Sequence, residues 1–119
     1  MATIKSYTDL EQSKKLAEIL PLESADMRIG NYVGESGKVD GTNIHYYPKG
    51  ESFGAPEIIY AWSLAALLSV LPDYTLQTNT DGTVFVVCDS KKPMISDAYD
   101  NPVDACVTMI EKLHELNVL

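Results

Sequence analysis

The sequence predicts an α+β fold of two layers, a small, mainly antiparallel four-stranded sheet covered by three helices in the order αββαββα. Three observations lead there. Helix starts followed by apolar residues at helical spacing occur at the beginning, middle and end of the chain. Between them lie two pairs of β-prone segments, each pair joined by a turn or loop. Hairpins joined by short connections favour an antiparallel sheet, and three amphipathic helices need a face to cover. At 119 residues the chain fits a single domain spanning 1–119.

The first helix is expected to begin at Thr8. Its hydroxyl can accept from the Glu11 amide while the Glu11 carboxylate reaches back to the Thr8 amide, forming a capping box. Leu10, Leu16, Ala17 and Leu20 form its apolar stripe, and Pro21 ends it by removing a donor. From Met27 to Tyr47 the period changes. "MRIGNYV" and "TNIHYY" flank "GESGKVDG", suggesting two strands around a long loop. Six of the seven glycines fall between Gly30 and Gly54, so this stretch contains the tightest turns or the most freedom.

Ser63 is expected to cap the second helix, with Trp62 before it able to pack on Leu67. Leu64, Leu67, Leu68 and Leu71, joined by Ala65, Ala66 and Val70, leave almost no polar face, so burial on several sides is expected before Pro72 ends the run. In "YTLQTNTDGTVFVVCD" two strands surround Asp81-Gly82, a pair suited to a type I′ turn. After the linker "SKKPMISDAYD", Asn101 caps the third helix, Pro102 occupies its first position and Asp104 its first turn. Val103, Cys106, Val107, Ile110 and Leu113 make that helix's core stripe, with His114 at the stripe's edge and Glu111 and Glu115 toward water.

The net charge of −8 argues against direct binding to nucleic-acid phosphates or anionic membrane. The longest apolar run, "LAALLSVL", is far shorter than the ~18 residues of a membrane span. Cys88 and Cys106 form no CxxC pair, and "MATIKSYTDLEQ" has no signal-peptide pattern, so a reducing cytoplasm is the expected setting.

No catalytic constellation emerges. "GESGKV" lacks the first glycine and the final hydroxyl of a phosphate-binding loop, because Tyr32 and Val39 stand there. Cys106 and His114 share a helix but are separated by about 12 Å along its axis, too far to pair. Cys106 could meet His45 only through the fold, and both cysteines have apolar neighbours, as inert buried thiols usually do. Two histidines without HxxxH spacing do not suggest zinc, and Asp97, Asp100 and Asp104 do not reproduce a calcium loop. No metal or other cofactor is expected.

What remains is a surface. Tyr32, His45, Tyr46, Tyr47 and Phe53 are concentrated in the glycine-rich region, where aromatic side chains on loops often bind other proteins, although sheet packing claims some of them. Strand alternation turns Tyr46 and Tyr47 to opposite faces.

"YTDLEQSKKLAEILPLESADM" at 7–27, "WSLAALLSVLP" at 62–72 and "DNPVDACVTMIEKLHELNVL" at 100–119, in this order, resemble a group of small proteins of Bacteroides-type gut bacteria found in prophage-like and other mobile regions. The group often has cysteine before the tryptophan, where this chain has Ala61. The resemblance implies a bacterial or phage cytoplasmic origin and carries over no catalytic residue. The expected function is therefore that of a non-enzymatic accessory protein acting through protein–protein binding or self-association. The alternatives are a small enzyme using His45 and Cys106 near the glycine-rich loop, or an acidic inhibitor that mimics nucleic acid.

Overall fold

The computed structural model describes residues 5–31, 44–48, 59–89 and 93–117. The fold is α+β with three helices, as the sequence indicates. The order is α1 (Leu10–Ile19), β1 (Met27–Asn31), β2 (Ile44–Pro48), β3 (Ile59–Ala61), α2 (Leu64–Val70), β4 (Tyr74–Thr78), β5 (Val84–Asp89), β6 (Pro93–Ile95) and α3 (Pro102–Glu115). The described strands do not form one four-stranded sheet. They form two antiparallel sheets of three, β2-β1-β3 and β4-β5-β6. The expected hairpins β1–β2 and β4–β5 are both present, and each gains a three-residue strand the sequence does not announce.

Helix α1 starts one residue later than expected. Asp9, not Thr8, is its cap: the Asp9 carboxylate accepts from the Gln12 amide at 2.8 Å, and Gln12 Oε1 accepts from the Asp9 amide at 3.1 Å. Thr8 is committed elsewhere. It is fully buried, its hydroxyl accepts from the Trp62 amide at 3.1 Å and lies 2.8 Å from Ser13 Oγ, and its own amide donates to the Trp62 carbonyl. Residues 6–8 thus run antiparallel to 62–64, bridged at Tyr7 and Ser63, and both segments lead into helices. Ala17, assigned to the α1 stripe, is exposed, while Leu16 and Leu20 are buried.

Ser63 caps α2 by accepting from the Ala66 amide, as expected, and its own amide and hydroxyl donate to the Asp26 carboxylate. Ala66 and Leu67 are buried, but Ala65 and Ser69 are exposed, so one side of α2 meets water. Asn101 caps α3 by accepting from the Asp104 amide at 2.8 Å. The α3 stripe is buried throughout, with Ala105 and Met109 widening it.

The main core gathers Leu16 of α1 and the Leu20 that caps its end, Trp62, Ala66 and Leu67, Val86 and Cys88 of β5, and the α3 stripe. Trp62 has no exposed surface, and its indole N–H donates to Ser24 Oγ at 2.9 Å, satisfying the one polar atom its side chain brings inside. A smaller cluster of Ile29, Ile59 and Ala61 lies on one face of the first sheet. Helices α1 and α3 run parallel: Gln12 near the start of α1 donates to Asp104 in the first turn of α3, and Ile19 and His114 near their ends line one groove.

The β4–β5 turn is not type I′, which needs positive φ at both central residues. Asp81 is not in that region; Gly82 alone is, at φ 88°. The Gly82 amide donates to the Asn79 carbonyl and the Asn79 amide to the Thr83 carbonyl. This is a turn over Asn79–Gly82 closed by a left-handed glycine. Asp81 accepts from the hydroxyl and, with smaller effect, the amide of Thr83, which hold its carboxyl below the usual range.

Candidate interaction surface

Of the aromatic set suggested by sequence, Tyr32 and Phe53 lie outside the described residues. For His45 and Tyr47 only the backbone in β2 is described, opposite Gly30 and Arg28. Tyr46 is half-buried: its ring stacks on Tyr7 with centroids 4.9 Å apart, and its hydroxyl donates to the Thr8 carbonyl at 2.8 Å. Burial first, and the Asp9 charge second, push the Tyr46 phenol above its ordinary value. This tyrosine fastens β2 to the segment entering α1.

The thiols lie in the main core. Cys106 has no exposed surface, and burial, with a smaller contribution from Cys88, pushes its thiol up to about 12. It stays protonated at neutral pH, the opposite of what a nucleophile requires. Cys88 is also pushed up, by burial and then by Asp73.

A shallow groove of about 280 Å³ lies between α1 and α3, lined by Lys15, Glu18, Ile19, Glu111, His114 and Glu115. Among the described residues, no group of three or more His, Cys, Asp or Glu side chains converges as metal ligands, and no helix is long and apolar enough to cross a membrane.

The second sheet offers a different kind of feature, which follows from its register. Asn79 donates to Thr83 at one end of the β4–β5 ladder and Asp89 donates to Asp73 at the other. In an antiparallel pair, residues facing the partner alternate with residues facing away. Thr75 and Gln77 therefore exchange their bonds with Val87 and Phe85, whereas the N–H and C=O of Tyr74, Leu76 and Thr78 point away from β5. The same alternation turns Val84 and Val86 of β5 toward the opposite side, where Val84 bonds Tyr99 and Val86 bonds Ser96.

The two edges of this sheet are treated differently. The β6 edge is three residues long, begins with Pro93, and has the Ile95 carbonyl accepting from Lys112 Nζ of α3 at 3.2 Å. Shortness, proline and lysine are the usual protections against strand addition. The β4 edge has none of them. It is five residues long, contains no proline and no charge, and no described residue pairs with its outward groups.

Side chains reinforce the contrast. Tyr74, Leu76 and Thr78 share a face with the buried Val84, Val86 and Cys88, yet Tyr74 is 41% exposed. On the opposite face Thr75 and Gln77 adjoin the half-buried Val87 and Phe85, beyond which Ile95 is 56% exposed. Sequence reasoning identified the β4–β5 hairpin but did not single out this edge. The available signal was "YTLQTNT", a β-prone run without a charge. No family model, curated protein or solved structure matches the chain.

Proposed function

We propose that this chain acts by binding another polypeptide along β4. The observation that carries the reading is the row of outward N–H and C=O groups at Tyr74, Leu76 and Thr78 on an edge without charge or proline, while the opposite edge is blunted by Pro93 and Lys112. Main-chain pairing with such an edge is a recurrent mode of peptide recognition. The resemblance at 7–27, 62–72 and 100–119 supports reading this as the work of an accessory protein of a phage or mobile element, in a bacterial cytoplasm.

Site-specific photocrosslinking tests the reading. A benzophenone side chain at position 75 is expected to capture a defined protein from Bacteroides-type host lysate, and the same group at Lys14 on α1 is not. Equal capture at both positions, or none at position 75, contradicts it.

A further inference from the structure

We infer that the occupant of the β4 edge is an extended segment of another protein, apolar at alternate positions and flanked by lysine or arginine. The inference rests on the binding role proposed above and deepens it by choosing the partner's chemistry.

The choice follows from charge. From Asp73 to Asp89 the hairpin carries three aspartates and no lysine, arginine or histidine. All three are exposed: Asp73 immediately before β4, Asp81 in the turn beyond it, and Asp89 opposite Asp73. The edge is therefore a neutral strand with carboxylates at both ends. A strand laid along it reaches those carboxylates with its own ends, where cationic side chains are attracted and anionic ones repelled.

A second copy of this chain fits poorly. Antiparallel pairing of β4 with itself, centred on Leu76, brings Asp73 of one copy toward the end that carries Asp81 of the other, between bodies that each carry −8. A basic-flanked segment meets the same frame as a complement. Alternate apolar side chains on it would lie against the exposed Tyr74 ring and the half-buried Leu76 on one face.

The test is a fluorescence-anisotropy titration of the full chain with a dye-labelled, end-blocked synthetic peptide, Lys-Lys-Thr-Val-Thr-Val-Thr-Lys-Lys. Its counterpart has glutamate at all four lysines. The lysine-flanked peptide is expected to bind at least tenfold tighter, and this advantage should shrink as salt is raised. Thr78→Pro removes only an outward N–H, and the residue before a proline favours extended backbone, so the β4–β5 ladder survives while binding is lost. Gln77→Lys keeps every backbone group but adds a cation to the edge, and should weaken the lysine-flanked peptide severalfold.

Equal binding of the two peptides, or unchanged binding by both variants, overturns the inference. If neither peptide binds and the chain sediments as a dimer that Thr78→Pro converts to monomer, the occupant is a second copy. The basic-segment inference then falls while the binding role of β4 stands. If the chain is monomeric, binds neither peptide and crosslinks nothing from position 75, both fall.

Discussion

The Lys5 ammonium lies 2.8 Å from the Asp104 carboxylate, joining the segment before α1 to the first turn of α3. The same carboxylate accepts from Gln12 of α1 and from the α3 cap Asn101. Burial works against the charged form of Asp104, but the hydrogen bonds from Lys5, Asn101 and Gln12 outweigh it and hold the carboxyl below its usual range. A depressed carboxyl contributes stability above its unfolded value, and that contribution is lost as pH falls through the folded value. Stability should therefore drop as pH is lowered below about 4. Asp104→Ala should cost about 1–2 kcal/mol at neutral pH in urea unfolding and flatten the acid limb.

The buried thiols titrate in the opposite direction. Because Cys106 is raised to about 12 in the fold, the unfolded chain ionises first as pH rises. The associated stability is intact below about 8.5 and declines as pH climbs toward the folded value, by on the order of 1 kcal/mol per pH unit. At neutral pH a thiol reagent should label Cys106 only as fast as the chain unfolds. Fast labelling of the native protein would contradict the packed core described above.

Thr8 closes the entrance to α1 and α2. Thr8→Val keeps the shape but leaves the Trp62 amide and the Ser13 hydroxyl without their buried partner. A loss of about 1–3 kcal/mol is expected, with Thr8→Ser costing less, since it keeps the oxygen. Denaturant midpoints of the two variants check this ordering.

At Gly82 a β-carbon would meet nothing within 4 Å, so Gly82→Ala tests backbone conformation alone. With φ at 88°, the change should cost about 1 kcal/mol of thermal stability without altering the strands. Asn117, at φ 58° just beyond α3, occupies a similar backbone region, and Asn117→Gly should stabilise by a few tenths of a kcal/mol.

The helices were legible because their signals are local: Ser63 and Asn101 cap where spacing indicates, and the α3 stripe is buried residue by residue. The sequence does not separate Thr8 from Asp9 as the α1 cap, because both suit the role, and only the distant Trp62, whose amide takes the Thr8 hydroxyl inside, leaves the cap to the Asp9 carboxylate. Strands β3 and β6 were missed for a related reason. Three residues carry no readable alternation, and their pairing is set by β1 and β5. The turn exposed a limit of dipeptide rules, since Asp-Gly also suits a turn in which only the glycine is left-handed. That no described residue pairs with the outer side of β4 is a property of the assembled sheet. An uncharged run can be central or peripheral, and only strand order and register reveal that Tyr74, Leu76 and Thr78 face outward.

Residue-resolved amide hydrogen exchange reads directly whether the outward amides of β4 are free to bind a strand. In the dilute free chain, Thr75 and Gln77 should be protected while Tyr74, Leu76 and Thr78 exchange rapidly, and the lysine-flanked peptide should slow those three. Protection of all five amides in the free monomer, or no change at Tyr74, Leu76 and Thr78 when the peptide is bound, would contradict an open β4 edge as the binding site.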